Sequence, residues 1–200
     1  MGNGESLRGE TTTRPDIGRL TAIAEDLLAE VAPGWQDNPH MRATPQRYAK
    51  WWAEFIGYDP GTFDTTFPVE HVDQMVVVSG IDTWSLCAHH LLPFSATVAI
   101  GYIADSEVLG LSKFARIAHL AAHRPTSQEQ LVADIADQIE KVTGTGDVAV
   151  TASGLHLCMA MRGVRTPATM TTSVTRGAFR ENEAARTEWL ALLGRTPHKE

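Results

Sequence analysis

Apolar residues first fall at helical spacing at Ile17, Leu20, Ile23, Ala24, Leu27, Leu28 and Val31, which predicts a helix over residues 16–31. Pro33-Gly34 ends it. A second helix is expected from Thr44, read as its cap, with Pro45 at the first helical position. Tyr48, Trp51, Trp52 and Phe55 supply its apolar surface. Residues 57–68, rich in Gly, Asp, Pro and Thr, read as a loop. The pattern then turns strand-like from Val69, with strands that include Met75–Val78 and Ser95–Ile103. Two helices follow, one over 111–123 and one opening at Ser127-Gln128-Glu129-Gln130. There Ser127 matches the cap of a capping box and Gln130 its third helical position. Leu131, Ile135, Ile139 and Val142 line one face of that helix, and Thr143–Asp147 reads as the turn that stops it. Strands over 148–162 and 168–177 and a helix near 183–193 complete the pattern. A helix pair inserted between two strand pairs indicates an α+β fold with an antiparallel sheet. Residues 1–13 read as a disordered tail and residues 14–60 as a helical region. Residues 61–195 then hold the sheet domain.

Composition narrows the classes of function. A chain of 200 residues, 43% hydrophobic and 20% charged, is long enough to bury one core without staples. Seventeen basic against 24 acidic residues give a net charge of −7, which argues against a general nucleic-acid coater. No apolar run is long enough for a membrane-spanning helix. The polar start, Met-Gly-Asn-Gly-Glu, does not read as a signal peptide, so a cytoplasmic location is expected. Two cysteines exclude a disulfide-rich scaffold.

Those two cysteines sit beside histidines. Cys87-Ala88-His89-His90 places a thiol and two imidazoles within four residues, and Cys158 lies two after His156. On a strand over 148–162, alternation puts His156, Cys158, Ala160 and Arg162 on one face. Leu155, Leu157, Met159 and Met161 take the other. Zinc suits thiolate and imidazole ligands, and a catalytic zinc keeps a fourth position for water. Cys87, His90 and Cys158 would form such a set, leaving His89 and His156 for proton transfer. Buried structural thiols, or one disulfide beside solvated imidazoles, fit the same spacing, and both readings stay open.

A second cluster concerns anions. Lys113 and Arg116 share a face near a helix N-terminus, where backbone donors favour negative charge. Residues 158–180 hold Arg162, Arg165, Arg176 and Arg180 and no acidic residue, which suits either a polyphosphate site or scattered surface arginines. Glu129 in a first helical turn suits either the helix dipole or a guanine edge. His119 and His123 continue the Lys113 face and read as solvated or interfacial.

Several strings together resemble the GTP cyclohydrolase I family. They are Val72-Asp73-Gln74-Met75-Val76, Ser85-Leu86-Cys87-Ala88-His89-His90 through Phe94, and Gly110-Leu111-Ser112-Lys113 with Arg116. Further on come Arg124 through Gln128-Glu129 to Leu131, His156-Leu157-Cys158 with Arg162-Gly163, Thr171-Thr172-Ser173, and Gly177-Ala178-Phe179. Thr44-Pro45-Gln46-Arg47 is similar to an upstream motif of that family. The resemblance covers residues 43–190 in family order. It implies the tunnelling fold: a four-stranded antiparallel sheet with two helices on one face, preceded by N-terminal helices. Sheets of several subunits join into a barrel, commonly a homodecamer with active sites between subunits. The implied reaction takes GTP and water to formate and 7,8-dihydroneopterin triphosphate, a starting point for folate, 7-deazapurine and other pterin routes.

By motif, Cys87, His90 and Cys158 look like the Zn2+ ligands, and His89 and His156 like the catalytic proton-transfer groups. Glu129, with Gln128, looks like the guanine anchor. Lys113, Arg116, Arg162 and Arg47 look like triphosphate contacts, with Ser112 nearby. The chain departs from the family in carrying Ala88 where a Glu is usual, Gln130 where Arg is frequent, and Gln74 where an acidic residue is common. The Ala88 departure also admits an enzyme acting on another purine or pterin nucleotide, and a non-catalytic nucleotide-binding regulator that retains the pocket is a separate alternative.

Overall fold

The computed structural model describes residues 15–63, 65–69, 74–105 and 107–194. The predicted tail at 1–13 and Val72-Asp73 of the first sheet motif lie outside the described residues. The chain divides into two compact units at the Asp59–Pro60 bond.

The N-terminal unit is a helix pair. Helix α1 (Ile17–Val31) is capped by the Asp16 carboxylate, which accepts from Arg19 N at 3.1 Å. A 3-10 turn at Trp35–Asp37 leads to α2 (Thr44–Ile56), which packs on α1. Thr44 is not the cap expected from the sequence. Ala43 holds that position without a side-chain bond, and Thr44 is the first helical residue. Along α2, Tyr48, Trp51 and Phe55 stack in series, with ring centroids 5.8 Å and 5.6 Å apart.

The second unit is built on a sheet. A short ribbon pairs β1 (Thr66–Pro68) with β4 (Glu107–Leu109). The main sheet contains β2 (Gln74–Cys87), β3 (Pro93–Ala104), β5 (Pro125–Thr126), β6 (Val148–His156) and β7 (Thr169–Thr175). Its order is β5-β2-β3-β6-β7, with the four long strands antiparallel and the two-residue β5 parallel to the end of β2. Helices α3 (Leu111–Ala122) and α4 (Gln128–Thr143) bury one face of this sheet. Phe94, Val98, Ile100 and Val150 from the strands meet Phe114, Ile117, Leu131 and Ile135 from the helices. This is the α+β architecture expected. β5 covers only Leu86 and Cys87, so among the described residues most of the outer edge of β2 and all of that of β7 lack a strand partner.

On the opposite face, α6 (Ala178–Glu181) and α7 (Glu183–Leu193) bring Phe179 and Trp189 against Ala99 and Ala149. The Trp189 ring lies directly on Gly101, where a Cβ would come within 2.5 Å of it.

The β6 boundary corrects the sequence reading. The strand stops at His156, and α5 (Leu157–Ala160) is a single helical turn. The register explains this. Phe94 pairs with His156 and Thr169 with Leu155, so the next ladder positions, opposite Leu157, would be Pro93 and Pro167. The Ile103 N–Asp147 O and Arg176 N–Val148 O bonds set the phase of the two ladders, so Leu157 would face β3, where Pro93 has no N–H to give, while Pro167 would fall at a non-hydrogen-bonded position.

Candidate active site

The end of the sheet where β2, β3 and β6 meet gathers most of the candidate residues. Cys87 closes β2, and the turn that follows contains His89 and His90. The Cys87 carbonyl accepts from His90 N at 3.2 Å and Leu91 N at 2.8 Å. Leu91 takes φ 54°, a left-handed conformation that costs a non-glycine residue about 1–2 kcal/mol. β5 clamps the turn from the other side, with Ala88 N donating to Thr126 O at 3.1 Å.

Cys158 arrives on α5. With α5 helical, the strand alternation that grouped it with His156 does not apply. Its thiol nevertheless joins the Cys87 cluster: Cys87 Sγ, His90 Nδ1 or Nε2, and Cys158 Sγ lie within 4.8 Å of one another. Cys87 Sγ stands 3.7 Å from the Nδ1 atoms of both His89 and His90. Burial pushes the Cys158 thiol up, the neighbouring Cys87 adds to this, and the charge of Arg162 pulls the other way.

His156 ends β6 beside this cluster, with its ring stacked on Phe94 at 4.5 Å and 5°. Its Nε2 lies 2.9 Å from Gln128 Oε1. Burial lowers its pKa, partly offset by the Glu129 carboxylate. Gln128 and Glu129 open α4, whose cap is Ser127 as expected, accepting from Gln130 N at 3.1 Å. The reciprocal half of the capping box is missing, because the Gln130 amide donates to Asp134 instead. Glu129 is exposed, whereas Gln128 is fully buried. The Gln128 Nε2 donates toward Ala152 O, Met170 O and Thr172 Oγ1 at 3.0, 3.0 and 3.1 Å. Both ends of its amide are therefore engaged within the chain.

The cationic candidates are dispersed. Arg162 is exposed just beyond α5. Lys113 is buried and donates to Thr62 O at 2.8 Å, with Arg116 Nη1 3.4 Å from the same oxygen. Nine residue steps along α3, roughly 14 Å of helix axis, separate Lys113 from Ala122. Only beyond that end does the chain reach Pro125–Thr126 beside Cys87. A single chain therefore does not bring Lys113 and the thiol cluster together. Ser112 is exposed next to Lys113. Arg176, counted among the basic residues, is paired with Asp137 and Glu140 at 2.6 and 2.7 Å. In the N-terminal unit, Arg47 donates to His40 O at 2.8 Å and to Thr44 Oγ1 at 3.3 Å.

The family model for GTP cyclohydrolase I matches residues 21–194. The chain belongs to this family. The GTP cyclohydrolase 1 of Corynebacterium aurimucosum is 44% identical over 185 residues, 89% of this chain and 93% of that protein. That of a Sulfurihydrogenibium strain is 45% identical over 154 residues, 76% and 82% of the two chains. That of Mycobacterium ulcerans is 42% identical over 197 residues, 94% and 96%. Membership of the GTP cyclohydrolase I family makes the chain an enzyme of that type.

The residues present suit the family's zinc. Two thiols and an imidazole converge at one point, a donor set zinc prefers, and three ligands leave a coordination position open. Three participants carried no role in the sequence reading: Phe94 under the His156 ring, Thr172 on the Gln128 amide, and Thr126 on the turn. Pro93 was the visible signal that the β3–β6 ladder could not extend past His156.

Proposed function

We propose that the chain converts GTP and water to formate and 7,8-dihydroneopterin triphosphate, using Zn2+ held by Cys87, His90 and Cys158. The observation that carries this reading is the convergence of these three donors beside His156 and the first turn of α4. When bound, zinc supplies Lewis-acid activation of the water that opens the guanine imidazole ring. The exposed Glu129 carboxylate, in the first turn of α4, accepts two hydrogen bonds from the guanine edge. His89 exchanges a proton with the imidazole nitrogen of the base during ring opening, and His156 serves the later proton transfers. Lys113, Arg116, Arg162 and Arg47 hold the triphosphate, with Ser112 as a polar contact.

The placement of Lys113 and Arg116 supports a site shared between subunits, since one chain keeps them from its own thiol cluster. The stretches of the β2 and β7 edges that lack a strand partner among the described residues support the same conclusion, because joining sheets edge to edge into a barrel covers them. We infer a homo-oligomeric ring, a decamer by family resemblance, working in the cytoplasm. Incubation with GTP and zinc, following formate and the fluorescence of the oxidised neopterin product, tests the reading. Tight GTP binding without formate would overturn it in favour of a non-catalytic nucleotide binder.

A further inference from the structure

Gln128 is buried completely, which sets it apart from a residue that reads a substrate edge. Its nitrogen faces two backbone carbonyls, Ala152 O and Met170 O, both at 3.0 Å. Carbonyl oxygens only accept, so the amide cannot be turned over without placing oxygen against oxygen. The orientation is therefore fixed, and Oε1 faces His156 Nε2 at 2.9 Å. The space for this contact comes from Gly154, where a Cβ would approach Oε1 to 2.5 Å. Phe94, stacked at 4.5 Å, holds the plane of the imidazole. A ring flip would put a carbon where Nε2 now stands and lose the bond to Oε1.

An amide oxygen has no hydrogen to give, so the hydrogen in this bond belongs to the ring. We propose that Gln128 is a positioning residue that holds His156 as the Nε2–H tautomer, so that its exchange with substrate runs through Nδ1. This deepens the catalytic reading above and rests on it for the role of His156. It departs from the motif-based expectation that Gln128 helps grip the guanine. A base whose tautomer is imposed from behind presents one lone pair in one direction, and errors in that choice are costly to proton transfer.

Solid-state NMR of sedimented protein carrying ring-¹⁵N histidine tests the assignment, with the His156 signals identified by their loss in His156→Asn. The hydrogen is expected on Nε2 in the wild type, and a wild-type ring protonated on Nδ1 instead overturns the proposal without any variant of Gln128. Gln128→Met removes the acceptor while keeping the length of the side chain. It is expected to mix the tautomers and lower kcat for GTP by about 10²-fold. KM should stay within about threefold, as for a group that acts only after binding. Gln128→Glu, as a neutral buried acid, keeps an acceptor toward His156 and a donor toward the carbonyls, and is expected to restore the Nε2–H tautomer. An unchanged tautomer in Gln128→Met, or a raised KM at wild-type kcat, overturns the proposal, the latter by restoring Gln128 to guanine binding. A wild-type protein that shows the Gln128-dependent tautomer yet releases no formate would sink the catalytic reading and leave the positioning role standing.

Discussion

The contact between Trp189 and Gly101 allows a quantitative test of what holds α7 to the sheet. Trp189 is 2% exposed, and its ring crosses Phe179 edge-on at 5.9 Å. Truncating such a side chain, Trp189→Ala, should cost about 3–5 kcal/mol. The glycine beneath it is the more informative partner. A Cβ at position 101 would come within 2.5 and 2.7 Å of two ring carbons, against about 3.5–4.0 Å for an ordinary carbon contact. Gly101→Ala alone should therefore destabilise by about 1–3 kcal/mol, as overpacking does. With the ring removed the obstacle is gone. In the Trp189→Ala background the same substitution should be neutral or should stabilise by about 0.5–1 kcal/mol, the intrinsic gain of alanine over glycine in a strand. The sign of one substitution thus reverses with the identity of the other, a coupling of about 2 kcal/mol. Urea unfolding of the four proteins, read at one protein concentration, measures the cycle. Additive effects would show that Gly101 serves strand geometry rather than the ring, and the packing argument would fail.

Cys158→Ala should abolish zinc binding and turnover together, whereas His89→Ala should keep zinc and lose turnover. Metal content by atomic emission beside a formate assay separates them, and full zinc occupancy in Cys158→Ala would remove it from the ligand set. Ser127→Ala should lower stability by about 1 kcal/mol through loss of the bond to Gln130 N, read as a shift in the urea midpoint. His119 has its pKa lowered, first by burial and then by the nearby His123. A lowered histidine binds fewer protons folded than unfolded, so stability falls as pH drops through the unfolded value of about 6.5. Melting temperatures from pH 8 to 5 should fall less steeply in His119→Gln than in the wild type, and parallel curves would remove His119 as a cause.

The α+β architecture was legible because its signals are local. Apolar stripes marked α1 and α4, and the Ser127 cap marked where α4 begins. The strand extending to 162 was not correct, although its alternation of His156, Cys158 and Arg162 against Leu157, Met159 and Met161 looked sound. Alternation describes side-chain faces, whereas a strand also needs neighbours with N–H groups, and Pro93 withdraws the one that would face Leu157. The cysteine reached its cluster regardless, by one helical turn rather than by strand phase. The inward role of Gln128 was beyond the sequence for a related reason. Its partners lie 24, 42 and 44 residues away, and only the β6–β7 register brings them to one amide.

The distance along α3 between Lys113 and the chain's own thiol cluster has a genetic meaning. In the proposed ring, a chain lacking Lys113 and a chain lacking Cys158 are each barren alone, because every site draws one part from each neighbour. Mixed in one assembly they supply what the other lacks, and some interfaces pair two intact halves. Two alleles with lesions at opposite ends of α3 would then complement within a cell, whereas two lesions at the same end would not. The helix length thereby sorts mutations into complementation groups within a single gene.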